Sequence, residues 1–144
     1  MSVEAFLDTN VLVYAVAGRK DEAEKRARAL ELLDEPDFGL SAQVLQEFYV
    51  TVVRKVEQPL TPAEALEWIE QFEAFPCQPL DSALVKVGAE IGHRYRISYW
   101  DGAIIAAAEA LGAPTLFTEN LSHDQTYGSV RVVNPFLDVQ SRSS

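Results

Sequence analysis

Four acidic residues stand where apolar segments of this chain begin or end, and they constrain its fold more than any other feature. Asp8 ends one short apolar run and Glu119 follows another, while Glu47 and Asp101 belong to amphipathic or apolar helical segments. Carboxylates are rarely placed near a core without a compensating positive charge, and no Lys or Arg adjoins any of the four. A divalent cation such as Mg²⁺ or Mn²⁺, which prefers oxygen ligands, is the simplest compensator.

The chain is long enough for one domain with a buried core. Its 144 residues are 48% hydrophobic and 24% charged, as in ordinary globular proteins. No apolar run approaches the roughly 20 residues of a membrane span, and the N-terminus lacks the basic region of a signal peptide, so a cytoplasmic protein is expected. The net charge of −10 argues against a general polyanion binder, and the single Cys77 cannot form an internal disulfide.

Strand and helix patterns alternate along the chain. Strands are predicted at 3–7, 38–40, 78–80, 115–118 and 130–133. Helices are predicted at 11–16, 21–34, 42–56, 61–75, 82–95 and 98–112. This order predicts an α/β protein with a parallel sheet covered by helices on both faces. One domain is expected over residues 1–138, followed by a polar C-terminal tail at 139–144.

The carboxyl ends of parallel strands meet at one edge of a sheet, where active sites of such folds lie. Asp8 and Glu119 both follow strands, and the helical period places Asp101 inside an apolar arc and Glu47 at the margin of another. Two carboxylates about 4 Å apart repel by about 4 kcal/mol at an effective dielectric of about 20. A cluster of three acids therefore calls for a cation.

Each acid also has a simpler explanation when it is taken alone. Asp101 fits a capping-box acid for Ser98, and Glu47 fits a boundary surface residue. Other enzyme classes fit poorly. A haloacid-dehalogenase-type phosphatase needs a second Asp where Asn10 stands, and neither a P-loop nor a dinucleotide-binding glycine motif is present.

The motifs together resemble the PIN-domain ribonucleases, and specifically the VapC-type toxins of bacterial type II toxin–antitoxin pairs. The matching segments are FLDTNVL at 6–12, QEFY at 46–49, WDGAIIAAA at 100–108 and NPF at 134–136. The resemblance implies a three-layer α/β/α domain in which Asp8, Glu47 and Asp101 are catalytic, metal-site acids for Mg²⁺ or Mn²⁺. The chain departs from the family at Asn120, where an Asp is common. Asn120, Glu119 and Asp124 therefore remain alternatives for completing the site.

The resemblance also implies a function and partners. The chain is expected to be a magnesium-dependent endoribonuclease, to form a homodimer, and to be inhibited by a cognate antitoxin. A PIN-like partner-binding module with weak or lost nuclease activity is the alternative, which Asn120 keeps open. Thr9 either donates to phosphate or to a ligand carboxylate, or caps the next helix. Cations at the rim are candidates for RNA contact, namely Arg19, Lys20, Arg54, Lys55, Arg94 and Arg96. Aromatic residues at helical spacing are candidates for an antitoxin groove, namely Phe48, Tyr49, Trp68, Phe72 and Phe75.

Overall fold

The computed structural model describes residues 2–137, so the tail predicted at 139–144 lies outside the described part of the chain. The strands are β1 (Ala5–Leu7), β2 (Phe38–Ser41), β3 (Cys77–Gln78), β4 (Thr115–Phe117), β5 (Thr126–Tyr127) and β6 (Val130–Val133). The helices are α1 (Thr9–Ala17), α2 (Ala23–Asp34), α3 (Ala42–Arg54), α4 (Pro62–Phe72), α5 (Ser82–Tyr95) and α6 (Tyr99–Ala110). A 3₁₀ turn at Lys20–Glu22 precedes α2.

The six strands form a mainly parallel sheet in the order β3-β2-β1-β4-β6-β5, with only β5 antiparallel to its neighbour β6. The central strands β1 and β4 pair in parallel, with Leu7 opposite Phe117. Their carboxyl ends therefore lie side by side. The residues that follow them, Asp8 and Thr118, begin at the same edge of the sheet, where sites in such folds form.

Helices cover the sheet on both faces, which confirms the predicted three-layer α/β/α architecture. Helix α1 packs against α2 and α3, and α3 packs against α4, whereas α5 packs against α6 and α6 contacts β2, β4 and β6. The core between the layers is apolar, and its largest fully buried side chains include Phe6, Phe38, Phe48 and Phe136. Burial of such side chains stabilises the fold by about 1.5–3 kcal/mol each relative to exposure.

Two glycines allow α5 and α6 to pack closely. A Cβ atom at Gly102 would overlap the carbonyl oxygen of Gly88, and a Cβ atom at Gly88 would lie 2.9 Å from the Cα atom of Ala103. A side chain at either glycine would therefore push the helices apart. Their close packing fixes the N-terminal end of α6, which carries Asp101.

The structure confirms the order of the predicted elements and corrects their ends. Strand β3 covers Cys77–Gln78 rather than 78–80. Helix α4 ends at Phe72, because Phe75 leaves the helical path and stacks on Phe38 with 4.1 Å between the ring centroids. The two-residue β5 is absent from the predicted elements, since it is defined by its pairing with β6. Within residues 2–137, the longest apolar helical stretch is too short to cross a membrane.

Candidate metal centre

Asp8 is a buried carboxylate held by hydrogen-bond donors. It is the N-cap of α1 and accepts from the Thr9 backbone N–H at 2.7 Å, so the alternative in which Thr9 caps this helix is wrong. Its other oxygen accepts from the Thr118 hydroxyl at 2.8 Å. Only 5% of the residue is exposed. Burial raises the pKa of Asp8 to about 6, the two hydrogen bonds oppose that rise, and the charges of Glu47 and Asp101 add to it.

Thr118 is the centre of the hydrogen-bond network at this edge, and the sequence analysis missed it. The side chain is fully buried, and its hydroxyl accepts from the Asn10 amide and from the Asn120 backbone N–H, each at 3.1 Å. A hydroxyl has one donor and two acceptor positions, so the two accepted bonds direct its proton at Asp8. The position directly after β4, at the edge shared with Asp8, was the available signal.

Glu47 reaches the same edge from α3, the helix that follows β2. The Thr9 hydroxyl donates to one of its carboxylate oxygens at 3.1 Å, and the Gln43 amide donates to the other at 3.1 Å. Thr9 therefore orients a candidate ligand carboxylate, one of the two roles expected for it. Gln43 also donates to the Trp100 carbonyl at 3.3 Å, which ties α3 to the start of α6. Gln43 was not predicted, although its place one helical turn before Glu47 makes the pair neighbours.

Asp101 lies half-buried in the first turn of α6. Its backbone N–H donates to the Ser98 hydroxyl at 3.0 Å, so Ser98 caps the helix. In the described part of the chain, the Asp101 carboxylate makes no return bond to the Ser98 backbone, unlike Glu64 in the complete capping box of α4. A capping role therefore does not account for this carboxylate, whose charge is felt at Asp8.

The other two candidate acids have basic partners. Glu119 accepts from the Tyr14 hydroxyl at 2.7 Å and pairs with Lys25 at 3.5 Å. Asp124 pairs with Arg131, and hydrogen bonding from Arg131 lowers the pKa of Asp124. By contrast, none of the three central acids forms an ion pair within residues 2–137. Glu47 and Asp101 thus lie close enough to Asp8 to raise its pKa, whereas Glu119 and Asp124 are paired with Lys25 and Arg131.

The donor set suits a hard divalent cation. It consists of oxygen atoms, and Asn10 adds a buried carbonyl Oδ1 that has no hydrogen-bond partner in the described residues. An orphaned buried acceptor carries a desolvation cost that a cation or its hydration water removes. In the conformation described over 2–137, no three acidic, thiol or imidazole side chains converge closely enough to form a complete metal site.

A cleft of about 1210 Å³ is lined by Glu47 and by the chain neighbours of Asp8 and Asp101, namely Thr9 and Trp100. Glu47 and Asn120 line it, together with apolar side chains of α1 and α3 and cations at its rim, Arg19 and Lys55. Asn120, which stands where the resemblance to PIN-domain ribonucleases led us to expect an Asp, is exposed to this cleft. Glu47 thus faces a space large enough for an extended ligand.

Comparisons with known proteins agree with this arrangement. The PIN domain family model matches residues 5–128. The chain therefore belongs to the PIN-domain family, a family of nucleases. A search of curated proteins gave no match.

Solved structures of toxins share the fold. A toxin–antitoxin complex from Klebsiella pneumoniae is 20% identical, with a TM-score of 0.65 and coverage of 91% of this chain and 97% of that one. VapC20 of Mycobacterium tuberculosis, a sarcin–ricin loop cleaving toxin, is 19% identical, with a TM-score of 0.64 and coverage of 81% and 91%. DNA-bound VapBC of Salmonella typhimurium is 17% identical, with a TM-score of 0.58 and coverage of 90% and 96%. The resemblance to VapC-type toxins is thus confirmed at the level of the fold.

Proposed function

We propose that this chain is a magnesium-dependent endoribonuclease and the toxin of a toxin–antitoxin pair. One observation carries the proposal: Asp8 is a buried carboxylate that forms no ion pair within the described residues. The nearby charges of Glu47 and Asp101 contribute to its raised pKa, after burial as the main cause. Such a cluster is stable only with a compensating cation or with protonation. The PIN-domain membership supports a nuclease.

Three acids of the chain would hold the cation, namely Asp8, Glu47 and Asp101. A bound Mg²⁺ or Mn²⁺ supplies Lewis-acid activation of a phosphodiester and of water. The protein's own groups prepare this site. Thr118 and the Thr9 backbone N–H fix the Asp8 carboxylate, while the Thr9 hydroxyl and Gln43 fix Glu47. Such outer hydrogen bonds orient ligands and tune their basicity.

Glu47 is also the candidate for proton transfer. It is half-buried, lines the cleft, and lies on α3 where its two oxygens are held by separate donors. A carboxylate in this position can accept a proton from an attacking water, after which the 3′ oxygen of the substrate leaves.

The toxin assignment is supported by the solved relatives, several of which are toxin–antitoxin complexes. We propose that a cognate antitoxin binds and inhibits this chain, and that the chain acts in the cytoplasm as a homodimer. Fewer aromatic residues are available for the proposed antitoxin groove than the sequence suggested, because Phe48 and Phe72 are buried in the core. The more accessible members are Tyr49, Trp68 and Phe75, beside exposed Val50 and Leu66.

Asn120 favours a second candidate, a PIN-like partner-binding module with weak or lost cleavage. The two acids that could replace an Asp at position 120 are already paired, Glu119 with Lys25 and Asp124 with Arg131. Three carboxylates, those of Asp8, Glu47 and Asp101, therefore remain for a metal. Incubation of purified protein with total RNA and magnesium, followed by mapping of the 5′ ends, separates the two. Discrete ends that require magnesium support the nuclease. Intact RNA, together with measured metal binding and antitoxin capture, supports the module.

A further inference from the structure

The residue directly before Asp101 is a tryptophan that lies mostly in solvent. Trp100 is 64% exposed, although large aromatic side chains usually bury most of their surface. Its backbone is tied to α3, because the Trp100 carbonyl accepts from Gln43, which also donates to Glu47. The indole packs edge-on against the Tyr99 ring, with 5.0 Å between the centroids. Trp100 thus lines the same cleft as Glu47.

A group of basic side chains lies near Tyr99. A cavity of about 700 Å³ at the end of α5 is lined by Tyr99 with His93, Arg94 and Arg96. All three basic residues are exposed, and within residues 2–137 none of them pairs with an acid. On a chain with a net charge of −10, this is a local site of attraction for a polyanion.

We propose that an unpaired segment of the RNA substrate crosses the α5–α6 turn, with one base stacked on Trp100 and adjacent phosphates beside Arg94 and Arg96. The inference rests on the proposed nuclease function and assigns the residues that would hold the RNA strand beside the acids. Aromatic stacking accepts any base, because every base has a flat π-face. Bases inside an A-form duplex are already stacked on both faces, so a loop, bulge or free end fits this surface and a regular duplex does not.

The stacking is tested by fluorescence in a Trp68→Phe background, where Trp100 is the only remaining tryptophan. Trp68 stacks on Phe72, so phenylalanine is a conservative replacement there. A single-stranded RNA oligonucleotide is titrated with calcium in place of magnesium, so that binding is read without cleavage. We expect quenching of Trp100 emission by the single strand, and much weaker quenching by a duplex of the same sequence.

Matched variants separate stacking from charge. Trp100→Ala is expected to weaken single-strand binding by roughly tenfold to a hundredfold, while Trp100→Phe keeps a stacking surface and stays within a few-fold of the parent. Arg96→Asn removes the charge at a position with φ of 57°, which asparagine tolerates, and should lower the salt dependence of binding by about one ion. Arg26→Gln, an exposed change on α2, is the control and should have no effect.

Unchanged affinity in Trp100→Ala, or equal quenching by duplex and single strand, overturns the inference. The outcome is independent of catalysis. If the quenching and the variant series hold but magnesium-dependent cleavage is absent, the strand site stands and the proposed enzyme does not. If cleavage is present but Trp100→Ala binds as tightly as the parent, the enzyme stands and the stacking site is refuted.

Discussion

Asp8 and Glu119 leave neighbouring strands at the same edge of the sheet, yet their carboxylates have opposite surroundings. Glu119 has a cation, Lys25, and a phenol, Tyr14, whose pKa is raised by burial and by Glu119 itself. Asp8 has only neutral donors and two further acids nearby, and its own pKa is raised to about 6. The difference suggests that Glu119, which the protein already compensates, serves the fold, and it supports our proposal that the uncompensated Asp8 takes a cation from solution.

The largest expected effect is on RNA cleavage, which should depend on Asp8 and its partner acid Asp101 but not on Glu119. Asp8→Asn and Asp101→Asn should each lower magnesium-dependent RNA cleavage by about a hundredfold or more, and abolish toxicity in cells, because each removes ligand charge with little change in volume. Glu119→Gln should retain cleavage within a few-fold. Rates are measured on one RNA substrate, and circular dichroism checks that each variant is folded. Parental rates in either aspartate variant are incompatible with the site assignment.

The second effect is on the free energy of unfolding, measured with a chelator present to remove metal. Substitution of Asp8 should raise it, and substitution of Glu119 should lower it. A folded-state pKa of about 6 against an ordinary 3.8 means that ionised Asp8 destabilises the fold. That cost is absent below the ordinary pKa and grows as pH rises through about 6, to about 3 kcal/mol. Asp8→Asn should therefore unfold at higher denaturant than the parent at neutral pH, and the difference should shrink as the pH falls through about 6 and vanish below the ordinary pKa of 3.8. Glu119→Gln should lose up to about 1 kcal/mol at neutral pH, since it strips Lys25 of its partner. If both substitutions changed stability in the same direction, the contrast drawn between Asp8 and Glu119 would be wrong.

A smaller effect tests the donor that holds Asp8. Thr118→Val keeps the shape but removes the hydroxyl, which leaves the Asn10 amide and the Asn120 backbone N–H without their acceptor. The expected cost is about 1–3 kcal/mol of stability, with a further rise in the pKa of Asp8. Thr118→Ser, which keeps the hydroxyl, is the control. A shift of the Asp8 carboxyl pKa, followed by carbon NMR, should appear in the valine variant only.

The smallest expected effect is on metal affinity and concerns Asn120. Asn120→Asp adds a charge beside the cleft, and one added contact to a cation is worth about 1 kcal/mol or more after desolvation is discounted. Manganese or magnesium binding should tighten by roughly tenfold, with cleavage unchanged or faster. Calorimetric titration compares the two forms. Equal affinities would place Asn120 outside the ligand shell and leave a site of three acids.

The sequence predicted the elements and the acids better than the contacts between them. Apolar runs, caps and helical periods are local, so the order of the elements and the inward position of Asp101 follow from short segments. The partner of Glu119 cannot be predicted from a short segment, because Lys25 lies 94 positions away and meets Glu119 only after folding. Thr118 is likewise ordinary in sequence. Its role depends on the parallel pairing of β1 with β4, which places its hydroxyl beside Asp8.

Calorimetric titration of Mg²⁺ into the parent, Asp8→Asn and Glu119→Gln, at a pH well above the pKa of Asp8, tests the central claim most directly. We expect measurable binding in the parent, loss of binding in Asp8→Asn, and nearly parental binding in Glu119→Gln. Binding that survives in Asp8→Asn, or that depends on Glu119 instead, would contradict the claim that the uncompensated acid is the one reserved for the metal.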